Sequence, residues 1–217
     1  MKRKSIKVKI IIGLLSLLIS SCSEHTEPLD YSSLKVGNIL LADARVIPLN
    51  TYSKSTEKAI GVIFAVQNDT AYVASLKELG DFSYCDSVGN VANVDGTIKK
   101  MAGLSNTAAL MDYSLTNNIK VPAATAAVNF SDELTGWYLP SCGELKKLSD
   151  NLNLVKNVMN AIGGDRLSDE QYVSSSQDGT STANESLYCY SVCLKTGYVT
   201  STLKSEKHRV RPVIIIR

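Results

Sequence analysis

Apolar and polar positions alternate along this chain in blocks whose period changes from strand-like to helix-like and back. Residues 59–66 and 70–76 are rich in Val, Ile, Tyr and Ala, and only Gln67, Asn68 and Asp69 separate them, which predicts a β-hairpin. Residues 81–100 mix Gly, Asp, Ser and Asn with little periodicity and read mainly as loop, with a helix following over 105–115. Pro122 stands where a first helical residue would, ahead of a run of alanines, and predicts a short helix. In Ser141-Cys142-Gly143-Glu144 a serine and a glutamate three residues apart form the signature of a capping box. Leu145, Leu148, Leu152, Val155, Met159 and Ile162 then recur at three- and four-residue spacing up to Gly163-Gly164, predicting one or two consecutive helices. The period returns to strand-like over 187–194, 198–203 and 210–216, with Lys195-Thr196-Gly197 as a turn between the first two. Pro212 cannot donate to a ladder, so its strand must present that position at an edge or a bulge. Hairpins with a few helices between them give an α+β expectation.

The first residues follow a different logic. Lys2, Arg3, Lys4, Lys7 and Lys9 precede an apolar run over 10–19, too short to span a bilayer comfortably, that closes on Ile19-Ser20-Ser21-Cys22. Small residues before a cysteine look like a bacterial lipobox, so residues 1–21 read as an export signal and Cys22 as a lipidated first residue of the mature chain. Polar residues 22–35 read as a tether, which leaves residues 36–217 as one globular domain large enough for a real core. The expected location is the bacterial outer membrane, anchored through lipid on Cys22 and exposed at the surface, a periplasmic face being the alternative.

Charge and cysteines narrow the class. The chain has 23 basic and 21 acidic residues, and the export signal would remove five of the former and none of the latter, leaving about −3. That balance carries no nucleic-acid footprint. Cys85, Cys142, Cys189 and Cys193 remain in an exported protein, where disulfides are permitted. Cys189 and Cys193 on one strand would stand roughly 13 Å apart, too far to bridge each other. Pairing would have to involve Cys85 and Cys142, and small buried thiols are the equal alternative.

Together these landmarks resemble the Lcl C-terminal domain family. The residues that carry the resemblance are Ala59-Ile60-Gly61-Val62-Ile63-Phe64, Val73-Ala74-Ser75-Leu76-Lys77, Gly136-Trp137-Tyr138-Leu139-Pro140-Ser141 with Gly143-Glu144-Leu145, Gly163-Gly164, Tyr172-Val173-Ser174-Ser175-Ser176 and Arg209-Val210-Arg211-Pro212-Val213. The match runs from about Val36 to the end; Val173 departs from the family's usual tryptophan. The resemblance implies a C-type-lectin-like fold, with mostly antiparallel twisted sheets and two to four helices, in lipoproteins, fimbrial tip proteins and adhesins. It implies a binding protein, with a carbohydrate or protein as partner, and a ligand surface between the serine-rich and the closing arginine motifs. In some relatives that segment is diversified by a retroelement, and residues 188–208, rich in Tyr, Cys, Ser and Thr and lacking Asn, have a matching composition.

Within that segment Tyr188 and Tyr190 would share one strand face. Tyr198, Thr200, Thr202, Lys204, Glu206 and His208 would share another if the extended run continues through 208. Aromatic rings with polar tips suit sugars and protein surfaces alike, although half-buried sheet residues show the same period. Trp137 reads as a core anchor, Arg209 and Arg211 as solvated or salt-bridged groups, and Ser174, Ser175 and Ser176 as a polar loop or a hydroxyl clasp. Only two histidines occur, His25 and His208, so a histidine-based triad or multi-histidine metal site has little to draw on. Adjacent carboxylates at Asp132-Glu133 and Asp169-Glu170 point in different directions, and no phosphate-cradling glycine loop is present. The expectation is therefore a binding module without cofactor or metal, with a fimbrial tip or assembly subunit as the alternative.

Overall fold

A computed structural model describes residues 33–217; the expected export signal, Cys22 and most of the expected tether lie outside the described residues. Ten strands form two five-stranded sheets. In the first, β1 (Ile39–Leu41), β2 (Val46–Ile47), β3 (Ala59–Gln67), β4 (Thr70–Ser75) and β10 (Val213–Ile216) lie in the order β10-β4-β3-β1-β2, all antiparallel. In the second, β5 (Asp81–Ser83), β6 (Gln171–Gln177), β7 (Tyr188–Cys193), β8 (Tyr198–Leu203) and β9 (Lys207–Arg209) lie in the order β5-β9-β6-β7-β8. Only β6 and β9 run parallel. The predicted hairpin is β3-β4, turning through Asn68 and Asp69, both at positive φ.

Five helices accompany the sheets, one more than expected: α1 (Gly103–Asn117), α2 (Pro122–Asn129), α3 (Cys142–Asp150), α4 (Leu152–Ile162) and α5 (Thr182–Leu187). The fifth is a six-residue turn capped by Ser181 with no buried residue, so it leaves no apolar period to read. Helix α3 meets both sheets and α4 packs on β3 of the first, and their apolar stripe joins Val62, Phe64, Tyr172 and Val192 in the main core. Helices α1 and α2 cover the opposite face of the second sheet, where Leu110, Ala124, Val173 and Val210 pack together. The outer face of the first sheet is closed by Trp137, which packs edge-on against Phe130 and donates its indole N–H to Leu134 O, as a core anchor should.

The capping box forms and does more than cap its own helix. Ser141 Oγ accepts from Glu144 N, and the Glu144 carboxylate accepts from Ser141 N (2.8 Å), from Tyr138 Oη (3.2 Å) and from Gly103 N at the start of α1 (3.2 Å). Ser141 Oγ also accepts from Ala102 N. One carboxylate thus satisfies orphan donors of two helices. Burial pushes its pKa up to about 7 against the pull of those hydrogen bonds. Gly103 must lack a side chain, because a Cβ there would lie 2.1 Å from Glu144 Oε2.

The four thiols are unpaired. Cys189 and Cys193 do share β7, while Cys85 and Cys189 are buried as thiols in the core under α1 and α2 and Cys142 in the main core, and the disulfide expectation gives way to its alternative. Burial raises all three thiols, Cys142 and Cys189 to about 12, whereas hydrogen bonds from Thr196 hold the half-exposed Cys193 below its ordinary value.

Candidate ligand-binding surface

The segment from Tyr188 to His208 divides by where each side chain is sent. The extended run stops at Leu203; residues 204–206 turn, and β9 begins afresh at Lys207 on the far side of the sheet. The expected six-residue face is therefore not continuous. Tyr190 is drawn into the main core, where its hydroxyl donates to Asp178 Oδ1 (2.9 Å), and Tyr188 lies half-buried on that same face. Asp178 is almost fully buried without a cation. Burial works to raise its carboxyl, but hydrogen bonds from Ser201, Thr180 and Tyr190 outweigh it and hold the pKa low.

Thr202 is buried over Cys189 and donates to its carbonyl. Lys204 is buried, with its ammonium donating to Gly89 O (2.7 Å), Glu185 O (2.7 Å) and Gln177 Oε1 (2.6 Å), and it lies over the Tyr84 ring. Desolvation lowers its pKa to about 8. Its three protons are all used in tying loop 85–91 and α5 to the second sheet, which leaves none for a surface ligand. Thr202 and Lys204 are thereby corrected from ligand contacts to internal supports, and Tyr190 is a core residue whose edge lines a cavity of about 480 Å³ with Thr97, Thr180 and Glu185.

The closing arginines are structural as well. Arg211 is fully buried and reaches Ser75 O, Glu78 Oε2 and the carbonyls of Asp165 and Arg166. Arg209 lies among Glu170, Asp81 and Glu78. The three serines form the clasp: Ser174 Oγ donates to Tyr190 O (2.7 Å) and accepts from Ser176 N, while Ser176 Oγ accepts from Cys142 N and Asn106 Nδ2.

Tyr198, Thr200 and His208 share the other face of the second sheet, which Tyr188 does not reach. Directly opposed residues on neighbouring strands point the same way, so the register defines rows. The first contains Phe82, His208, Gln171, Cys193 and Tyr198, the Tyr172–Arg209 pairing setting His208 beside Gln171. The second contains Val210, Val173, Ser191 and Thr200, and the third begins with Cys189 and Thr202. Burial deepens from row to row: Tyr198 is 69% exposed, Thr200 partly so, and Thr202 only 8%. The face slides from open solvent into the core beneath α1 and α2.

Its open end is polar and uncharged. Gln171 Nε2 reaches over β7 to Thr200 Oγ1 (3.3 Å). Gln171 Oε1, Ser191 Oγ and His208 Nε2 are buried without a hydrogen-bond partner, the last standing 3.7 Å from Glu206 Oε2. Burial lowers His208 below its ordinary pKa despite Glu206 and Asp81, so near pH 7 it is a neutral imidazole with one donor and one acceptor. Sequence reasoning missed Gln171 and Ser191, because only the strand order places them between Tyr198 and His208. Tyr198, Thr200, Glu206 and His208 from the expected set are at or beside this face.

Concave ground lies elsewhere. Two adjoining cavities of about 300 and 570 Å³ share Gln67, Lys99 and Met101 and are bordered by Lys100, Lys146 and Lys147. Asp95 and Asp150 neutralise Lys100 and Lys147, and Lys146 donates to Gly197 O. Among the described residues no cluster of three or more His, Cys, Asp or Glu could hold a metal, and no helix is long and apolar enough to cross a membrane.

No family model and no curated protein matches this chain. Among solved structures, it is similar to a fimbrial protein from Bacteroides ovatus, with a TM-score of 0.64 and 16% identity. The likeness is one of fold. It covers 84% of this chain but 48% of the fimbrial protein, so the present chain spans about half the length of the structure it matches.

Proposed function

We propose that this chain is a lipoprotein of the outer membrane, held through Cys22, whose Lcl-type, C-type-lectin-like domain binds a carbohydrate or protein ligand at the cell surface and performs no catalysis. The observation that carries the reading is the open end of the second sheet, where the partly exposed and uncharged Gln171, Thr200 and His208 stand beside a mostly exposed tyrosine ring. A cluster of neutral donors and acceptors beside an aromatic ring offers what a sugar hydroxyl or a peptide amide requires. Rigid β-strands beneath it pre-organise the site. Gln171, Tyr198, Thr200 and His208 form this surface, with Glu206 at its rim and Ser191 buried beneath it.

The test has two arms. Biotin labelling of intact cells should reach the native protein and not a Cys22→Ala version lost from the surface; labelling that requires lysis would move the protein to the periplasm. A glycan and host-protein array probed with the full chain should give a ligand whose binding falls at least tenfold on combined Gln171→Ala, Tyr198→Ala and His208→Ala substitution. Undiminished affinity in a variant with unchanged melting temperature would reject the surface.

A second reading, a fimbrial tip or assembly subunit, is favoured by the fold likeness to a fimbrial protein. It predicts that the chain co-purifies with sheared surface filaments, which a stand-alone adhesin would not.

A further inference from the structure

Of the four strands that end a sheet, one is unguarded. Strand β2 has two residues and β5 has three, and β10 is bridged on its outer side by Tyr138 at Val213. Strand β8 has six residues, Tyr198-Val199-Thr200-Ser201-Thr202-Leu203, with no charge and no proline. It runs in register with β7 along its whole length without a bulge, whereas the β1-β3, β3-β4 and β6-β7 pairings are each interrupted. Tyr198 and Leu203 are exposed at its two ends. Proteins normally blunt such an edge with lysine, proline or a bulge, because alternate backbone amides and carbonyls there are free to pair with another strand.

The sequence of β8 suits one partner in particular, which is itself. Two copies meeting edge to edge in antiparallel fashion are related by a two-fold axis perpendicular to the sheet. That operation keeps each face on its own side, so a residue can oppose only one an even number of positions away. With the axis at Ser201, Ser201 meets Ser201, Val199 meets Leu203 twice on one face, and Thr200 meets Thr202 twice on the other. Aliphatic thus opposes aliphatic and threonine opposes threonine, both favourable cross-strand pairs. Shifting the axis to Thr200 sets Val199 against Ser201 and Tyr198 against Thr202, and the apolar match is lost.

We infer that β8 is an interface at which two copies of this chain pair through Ser201, joining their second sheets into one ten-stranded sheet. The polar end of each ligand-binding face then adjoins that of its partner across the seam, so the assembly presents two sites on one rigid surface. The dimer rests on the edge geometry and not on the ligand reading, and either can fail alone.

The test uses the full chain. A Ser201→Cys variant should form a disulfide dimer on intact cells under mild oxidation, since the two Cα atoms of a directly opposed pair lie within disulfide range. A Tyr198→Cys variant should not, because its opposite position lies past the end of the partner strand. Sedimentation of the detergent-solubilised wild-type protein should show a concentration-dependent dimer, and Leu203→Lys should raise its Kd at least tenfold. Leu203 is partly exposed, so this variant keeps the test open should Ser201→Cys fold poorly. A protein that stays monomeric at all concentrations overturns the interface, as does a dimer indifferent to Leu203→Lys or one cross-linked equally well through Tyr198→Cys.

Discussion

The two sheets meet the same burial requirement with different chemistry. In the first, Ile39, Val62, Phe64, Val73 and Ile214 fill both faces with hydrocarbon, and another apolar side chain of similar volume would serve. In the second, the fully buried residues include Ser174 and Ser176, with Gln177, Asp178 and Lys204 nearly so, each relying on a particular partner. Hydrocarbon contacts tolerate small displacements, whereas a buried hydrogen bond is lost with its geometry and leaves a desolvated group behind. The first sheet is a scaffold indifferent to detail; the second is a set of specified positions that ends in a surface.

Substitutions can break this contrast or sharpen it. The largest effect should come from the scaffold: Phe64→Ala removes a fully buried ring from the main core and should cost about 3–5 kcal/mol in urea unfolding. Next is Glu144, whose carboxyl titrates near pH 7 when folded and near pH 4.5 otherwise. Between those values the folded state holds the proton that the unfolded state has released, so stability falls as pH rises through the window, by up to about 3 kcal/mol. Urea midpoints measured across it should fall with rising pH relative to those of Glu144→Gln, which keeps the opposite contribution of His208, whose lowered pKa favours the fold as pH rises; equal slopes would remove Glu144 as the cause. Within the serine clasp, Ser174→Ala discards two hydrogen bonds and should cost about 1–3 kcal/mol. Ser175→Ala removes a hydroxyl that has no partner and should change stability by less than about 0.5 kcal/mol. Equal losses at the two positions would contradict the claim that the second sheet depends on individual bonds. Tyr198→Ala should leave the melting temperature unchanged, because the ring is mostly in solvent.

Much of the scaffold was legible in the sequence because its signals are local. The β3-β4 hairpin, the proline opening α2, the capping box of α3 and the stripe through α4 each depend on a few adjacent residues. Strand β9 was not legible: the turn at 204–206 contains no glycine, proline or asparagine, and the residues around it alternate as if extended. The burial of Tyr190, Thr202 and Lys204 was equally hidden. When both faces of a strand are polar, a period of two does not show which one the helices will cover. The cysteines misled in another way, since the compartment expected from the sequence would permit disulfides but only the fold decides which thiols meet. Gln171 could not have been assigned to the surface at all, because its neighbours there come from strands 22 to 37 residues further along.

Helices α1 and α3 lie on opposite faces of the second sheet, yet their first turns hang on the same Glu144 carboxylate. Mechanically this is a clamp with a single pin. The jaws cannot open independently, because tilting α1 away from β6 strains Gly103 N against the carboxylate that also seats α3. A sheet gripped in this way transmits little motion from its open edge to its interior, so Tyr198 at that edge stands on a stiff platform.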